Sequence, residues 1–433
     1  SPDYNWKFPN SYINDAKDYL KKARKNPEEV KKYSQAAIEA ANDALKSVVP
    51  YKNGELKGIW LRPTETTEDE IIATLNKLKK AGIDNIFLET YFHGKTIFPS
   101  KTMAAYGFTP QYEKFEGIDP LAIWIKEAHK RNIKVHTWFE TFYVGPLTPK
   151  ANPHSILGMN PSWGNKIKKD VESVDPSKST SEHNGYFLDP ANPYVQDFII
   201  KLVDEIITRY KPDGINLDYI RYPNCVSLNE DTNWGYTDYA RNDFKMIYGV
   251  DPVNILKSDP LWLEWNNYRR EQITNMVKKI GEMGRRSHIY VSAVIFPDRK
   301  AALEHKQQDW KTWSTRNYPL FLTCDSKTAN KMMSDVINAK SGSTDFYAGL
   351  FVTFMGGTDE DLIRLIHEAR KVNANGVILF DYAHLNNKYI NTLSRSVFAS
   401  RSPIRKQSFQ TQQAQPKIQP QDKKGWWIFG KKN

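Results

Sequence analysis

The sequence predicts a (β/α)8 barrel, preceded by an α-helical hairpin and followed by a disordered tail. Three observations predict it. First, eight short apolar runs recur at 58–62, 85–89, 133–140, 214–218, 289–295, 320–324, 347–351 and 376–381. Second, amphipathic stretches separate them, near 67–81, 118–131, 193–210, 262–285, 327–339 and 358–373, with the weakest periodicity at 300–311. Strands that alternate with helices in this way build a parallel sheet, and eight such units close into a barrel. Third, the helices carry their own start signals. Thr67 with Glu70 forms a capping box, and Asp119-Pro120 and Asn192-Pro193 each place an N-cap before a first-turn proline. Gly82 is a stop. An open doubly wound sheet is the alternative, but it would want a glycine-rich phosphate turn after its first strand. This chain reads Leu61-Arg62-Pro63-Thr64 there.

The elements divide the 433 residues into 1–55, 56–399 and 400–433. In the first segment, Tyr12, Ala16, Tyr19, Leu20 and Ala23 recur at helical spacing, and Pro27 breaks the run. Val30, Tyr33, Ala37, Ile38, Ala41 and Leu45 then mark a second helix, ended by Pro50. This hairpin is expected to pack against the barrel. In the barrel, the connections 141–190 and 219–261 are far longer than usual, and both follow strand C-terminal ends. They are expected to shape a groove on the upper face. After 399 the periodicity collapses into a Gln/Pro-rich stretch, which closes on Trp426-Trp427-Ile428-Phe429 among lysines.

Composition narrows the function. Hydrophobic residues are 40% of the chain, enough for a large core, and aromatics are 13%, with 12 Trp and 23 Tyr. That supply suits stacking on flat apolar faces such as sugar rings. Net charge is +11, but residues 400–433 carry eight Lys/Arg against one acid. The barrel is nearly neutral, so nucleic acid is not an expected partner; the basic aromatic tail leaves open docking onto the protein itself, a partner or an envelope surface. Cys225 and Cys324 have neither metal-ligand spacing nor a disulfide framework, so two free thiols are expected. No run approaches the ~18 apolar residues of a spanning helix. The chain starts Ser1-Pro2 without an initiator Met, which fits a cleaved secretion segment and an extracellular, periplasmic or envelope location. The chain is expected to act as a monomer.

The stretch that concentrates chemistry is Pro212 to Pro223. Ile215 and Leu217 point one way along the strand, Asn216 and Asp218 the other, and the run ends in Tyr219, Arg221 and Tyr222. The upper end of barrel strands is where chemistry is done. Taking the last residues of each strand collects Arg62, Glu89, Trp138 to Glu140, Asp218, Asp325 and Asp381. Carboxylates repel on such a rim unless they are paired or used. Two opposed carboxylates are what glycoside hydrolysis requires, one to protonate the leaving oxygen and one to attack or to activate water. Tyr91, Trp138, Tyr143, Trp163, Tyr219 and Tyr222 are candidate stacking faces. Humbler roles stay open for the rest. Asp218 has Arg221 or Arg62 as an ion-pair partner, and Glu89 has Arg62. Glu140, Asp325 and Asp381 read as supports, and His136 as a hydrogen-bond partner of a carboxylate. No zinc spacing, nucleophile elbow or P-loop occurs, so neither a metal nor a cofactor is expected.

Several motifs together resemble one family. They are Lys57-Gly58-Ile59-Trp60-Leu61-Arg62, Gly117-Ile118-Asp119-Pro120-Leu121, Glu127-Ala128-His129-Lys130-Arg131, Val135-His136-Thr137-Trp138-Phe139, Phe187-Leu188-Asp189-Pro190-Ala191-Asn192-Pro193 and the 213–223 run. Over roughly residues 56–390 the chain resembles the glycosyl-hydrolase-like 10 family, bacterial (β/α)8 proteins that include enzymes cutting peptidoglycan glycan strands. The resemblance implies a sugar site at the strand ends that includes Asp218, Arg221, Tyr222, Arg62 and Glu89. Glu140 stands where many relatives have a non-acidic residue. The 317–325 run departs from the family's Pro-Met-Tyr strand end, so the resemblance assigns no role at this strand. The strand also resembles that of family 18 chitinases, but Asn216 and Ile220 replace their second Asp and acidic Glu. The proton donor is therefore sought on another strand, with Glu89 the first choice.

The resulting expectation is a glycoside hydrolase acting on a polysaccharide, a cell-wall glycan above all. Asp218 would be the nucleophile or base and Glu89 the acid, with Arg62, Tyr91, His136, Trp138, Glu140, Tyr219, Arg221, Tyr222, Asp325 and Asp381 binding substrate. A non-catalytic glycan-binding barrel is the alternative. An adaptor working through the hairpin and tail is the third reading.

Overall fold

The computed structural model describes residues 7–48, 52, 54–225, 230–315, 320–324, 329–341 and 344–399. Nine strands follow one another: β1 (Leu56–Leu61), β2 (Asn85–Phe92), β3 (Lys95–Thr96), β4 (Lys134–Glu140), β5 (Gly214–Asp218), β6 (Tyr290–Ile295), β7 (Leu320–Cys324), β8 (Phe346–Leu350) and β9 (Gly376–Leu379). All except β3 pair in parallel. β1 bonds to β9 on one side and to β2 on the other, so eight strands close into a barrel. Between them lie the expected helices, at Glu68–Ala81, Pro120–His129, Pro193–Tyr210, Leu261–Arg286, Ala329–Ala339 and Asp359–Lys371. The weakly periodic 300–311 stretch is two short helices, Arg299–His305 and Trp310–Ser314.

The local signals act as their chemistry requires. Thr67 and Glu70 close a reciprocal capping box, and Asp119 and Asn192 accept from Ala122 N and Tyr194 N. Each such cap is worth about 1 kcal/mol. Gly82 ends its helix at φ 83°, where a side chain would be strained and a Cβ would strike the Phe398 carbonyl.

Alternation along the strands sorts two cores. Outward residues such as Ile59, Leu61, Ile86, Leu88, Ile215 and Leu217 pack under the helices. Inward residues fill the barrel with Trp60, Phe87, Trp138, Tyr347 and Ile378. Asn216 belongs to this interior: its oxygen accepts from Trp60 Nε1 at 3.2 Å and its amide donates to Ser292 Oγ at 3.0 Å. The residue that stands in the place of a chitinase aspartate is thus a satisfied strut across the barrel.

The hairpin is α1 (Lys7–Lys25) and α2 (Val30–Ser47). Its buried face is small, with Ala23, Ala37, Ala40 and Ala44, so that the backbones can approach closely. Leu20, Ile38 and Leu45, which recur at helical spacing in the sequence, are exposed instead. Lys46 Nζ ties α2 to the barrel through Asp359 and Glu360, at 2.9 and 2.7 Å. The expected disordered tail, the Trp426–Phe429 cluster and Pro50 lie outside the described residues.

Candidate active site

The upper ends of β1, β2, β4 and β5 bring Arg62, Glu89, Trp138, Glu140 and Asp218 together. Glu140 and Asp218 are register partners on neighbouring strands, and Glu89 is level with Trp138. Asp218 makes no ion pair among the described residues. Its Oδ2 accepts from Trp138 Nε1 at 3.0 Å, and its Oδ1 from the Tyr219 backbone N–H at 2.7 Å. That second bond exists because Tyr219 sits at φ 47°, turning the chain back on itself as the strand ends. A non-glycine residue there is strained unless its surroundings hold it. Tyr143 stacks on its ring at 4.7 Å, and the Arg221 guanidinium lies 4.7 Å from the same ring.

Glu89 is fully buried and clamped by Arg62 in a bidentate pair, Nη2 to Oε1 at 2.9 Å and Nε to Oε2. The guanidinium also lies over the rings of Trp138 and Phe92, at 5.7 and 5.9 Å. Glu140 is 3% exposed and accepts one hydrogen bond, from His93 N at 2.9 Å. His93 and Gly94 form the two-residue turn of the β2–β3 hairpin with φ values of 49° and 72°. Positive φ at both positions is what such a turn demands, and it aims the His93 N–H at the glutamate.

Electrostatics separates the three carboxyls. Burial, then the charge of Glu89, hold Glu140 well above the usual carboxylate range, against a single backbone donor. Burial pushes Asp218 up as well, but the Tyr219 N–H, Arg221 and the Trp138 N–H pull it back. Burial also pushes Glu89 up, while the Arg62 pair draws it down and drives Arg62 deeper into its charged form. Glu140 is therefore the carboxyl best placed to carry a proton. Glu89, which the sequence reading made the acid, is committed to an arginine; its neutralisation would strand that guanidinium.

The other sequence-predicted residues sort by depth. Asp381 lies at the end of the last strand, accepts from His384 Nδ1 at 2.5 Å, and bears electrostatically on Arg62 and Glu89. Arg221 does not reach Asp218 as an ion pair. Its Nη1 donates to Glu182 at 2.7 Å, on the long connection after β4, and Lys306 meets the same carboxylate at 3.2 Å. Tyr91 is fully buried in the outer layer, stacked on Phe139 at 4.5 Å. A bulge between Glu89 and Tyr91 inserts one residue and so turns Tyr91 away from the face Glu89 occupies. His136 lies two residues deeper than Trp138 on the same strand, stacked on Phe87 at 4.5 Å and bonded to Asn85 at 2.9 Å, not to a carboxylate. Tyr222 is wholly enclosed, close under Gly235. These three tyrosine and histidine side chains support the site and do not line it. Asp325 lies outside the described residues.

The two long connections build a wall beside this bowl. Isolated bridges pair Tyr143 with Phe187 and Gly164 with Leu188, and Ile167 joins the first connection to Trp234 of the second. Asp189, from the Leu-Asp-Pro motif, bolts them together by accepting from Thr237 Oγ1 at 2.5 Å and Ala191 N at 3.0 Å. Burial pushes its carboxyl up to about 6, and those two donors oppose the rise. Arg269, fully buried, donates to Asn233, Trp234 O and Asn266. Sequence reading did not single out His93, Glu182 or Lys306. Only the His-Gly turn pair carried a local signal.

The fold is shared with solved glycosidases. The glycoside hydrolase domain of PgaB (BpsB) from Bordetella bronchiseptica superposes with a TM-score of 0.59 at 11% identity, over 80% of this chain and 100% of that one. The catalytic domain of β-amylase from Paenibacillus polymyxa does so with a TM-score of 0.53 at 13% identity, over 80% and 98%. Among curated relatives, the glycosyl hydrolase YngK of Bacillus subtilis is 26% identical over 262 residues, 56% of this chain. The glycosyl hydrolase DigH of Escherichia coli K12 is 29% identical over 175 residues, 40% of this chain. The matched segments span 45% and 39% of those two proteins, less than half of either. The model of the family described as glycosyl hydrolase-like 10 matches residues 55–318, more than half of the sequence, and the chain belongs to that family.

Proposed function

We propose that the chain hydrolyses O-glycosyl bonds in a polysaccharide, with bacterial cell-wall glycan strands as the substrate class and a site of action outside the cytoplasm. The observation that carries this reading is the in-register pair at the ends of β4 and β5: Glu140, pushed well up by burial and by Glu89, beside Asp218, whose rise on burial is opposed by the Tyr219 N–H, Arg221 and the Trp138 N–H. Environments that push two carboxyls apart divide acid from base. Glu140 donates its proton to the leaving oxygen, and Asp218 attacks the anomeric carbon or activates water. Arg62 and Glu89 act as one neutral pair, which keeps a charge-balanced edge next to Asp218. Glu140 thus takes the role the sequence reading gave Glu89. The family resemblance supports the cell-wall substrate.

The test is release of new reducing ends from peptide-free glycan strands. Asp218→Asn should lower turnover at least ~100-fold, the low end of what a positioned acid–base group contributes. Full activity in that variant would refute the assignment. The alternative, glycan binding without turnover, draws on one observation: Glu89 is neutralised by Arg62 and so spent as a donor. Tight strand binding by a wild-type chain that releases no reducing ends would establish it.

A further inference from the structure

The rings that sequence composition marks for sugar stacking are mostly closed off. Tyr91, Tyr143 and Tyr222 are at most 1% exposed, and Trp138 and Trp163 are buried as well. Sugar faces must be met elsewhere on the mouth. Phe354, in the turn after β8, is 50% exposed, and its neighbour Met355 is 58% exposed. Single exposed apolar residues need no explanation, but this one is built into the site. The Thr353 hydroxyl before it donates to the Phe380 carbonyl at 2.9 Å. The Phe354 ring meets the Phe380 ring edge-on at 5.5 Å, and Phe380 meets Trp138 at 6.2 Å. Trp138 in turn holds Asp218. Phe354 also meets His384, edge-on at 5.0 Å, and His384 donates to Asp381. An aromatic path thus runs from the carboxylate on the floor to an open ring on the rim, flanked by a His–Asp pair suited to hydroxyl groups.

The geometry points to Phe354, with Met355 and His384, as a stacking subsite for a pyranose of the glycan chain beyond the sugar being cleaved. This inference rests on the proposed hydrolase reading and extends it from the cleaved bond to the chain. The occupant follows from two features. Continuity with the carboxylate bowl through Phe380 and Trp138 requires a ligand that reaches from one to the other, as an oligosaccharide does. An open phenyl face beside a hydroxyl-bonding pair suits a ring whose substituents are all equatorial, because such a ring presents a flat apolar face of C–H groups.

The experiment compares two probes on the full chain: peptide-free peptidoglycan glycan strands, and an aryl glycoside that fills only the cleavage position. Phe354→Ala should raise KM for strands about tenfold, the effect of losing part of one buried phenyl face. Aryl glycoside kinetics should not change, and Phe354→Trp should restore strand KM. An unchanged strand KM, or an equal loss on the aryl glycoside, would overturn the subsite. Strand affinity measured calorimetrically in the Asp218→Asn background separates the two claims. If Phe354→Ala weakens that affinity about tenfold while the wild-type chain releases no reducing ends, the subsite stands and the hydrolase reading falls. If the wild type cleaves strands and Phe354→Ala binds them as well as its parent, the subsite falls and the hydrolase reading stands.

Discussion

Glu140, on the floor of the bowl, and Glu182, in the wall beside it, are buried to nearly the same extent, 3% and 6% exposed, yet they hold their protons in opposite ways. Glu140 meets one backbone N–H and two other carboxyls, and its pKa is pushed well up. Burial would push Glu182 up too, but Arg221, Lys306, Ser179 and the Asn224 N–H outweigh it and bring its carboxyl down to about 2. The difference teaches that depth alone does not decide a carboxyl's pKa; the charges and donors around it do, cations for Glu182 and carboxylates for Glu140. Glu182, which ties the wall together, is surrounded by two cations and several donors. Glu140, short of donors and beside two other acids, is pushed toward its protonated form.

The comparison can be broken or sharpened by substitution. The largest effect is expected at Glu140. Glu140→Gln should lower turnover by roughly 10²–10⁴-fold, the range for a positioned general acid. The basic limb of the pH profile should vanish, and aryl glycosides with acidic phenol leaving groups should lose least. An unchanged basic limb would mean that the Glu140 proton is not the one transferred.

Glu182→Gln should act on stability. A carboxyl held near 2, against an ordinary value of 4.5, contributes about 3 kcal/mol to folding at neutral pH. Because the folded pKa is depressed, that contribution is complete above about 4.5 and is lost as pH falls toward 2. Denaturant midpoints should therefore differ most between variant and wild type at pH 7, and the gap should narrow steadily as pH falls from about 4.5 toward 2. A gap that is independent of pH would show that packing, not charge, makes Glu182 matter. Lys306, which burial and Arg221 hold down at about 8, loses its counter-ion in the same variant and should release its proton more readily.

The smallest effect is expected at Trp138→Phe, which keeps a ring beneath Arg62 and removes the N–H from Asp218 Oδ2. One hydrogen bond to a charged group is worth about 1.5–3 kcal/mol, so turnover should fall by about 10- to 150-fold. The N–H lowers the Asp218 pKa, so its removal should move the acid limb of the pH profile upward. An acid limb that stays in place would assign that limb to another group.

Much of this was legible in the residues. The alternation of Ile215 and Leu217 with Asn216 and Asp218 placed the carboxylate inward and at a strand end, and the capping residues marked the barrel helices. The pairing of Glu89 with Arg62 was among the open alternatives. Tyr91 was misread because one inserted residue at the bulge reverses the inside–outside pattern beyond Glu89. Tyr222 was misread because Gly235, from its own connection, closes over it beside Arg269, from a later helix, and no local signal marks that folding back. Phe354 carried no signal at all, since nothing local to the turn after β8 tells that its ring opens beside Phe380 and His384.

The sequence by itself determined the barrel and, up to the bulge after Glu89, which strand residues point into it, because period-two alternation and helix caps are written within a few residues of one another. Only the tertiary structure decided which carboxyl is pushed up and which is pulled down. Glu140 and Glu182 owe their opposite states to Glu89, His93, Arg221 and Lys306. A pKa is a sum over burial and charge through space, and those partners are brought close by the closure of the barrel and the folding of its long connections.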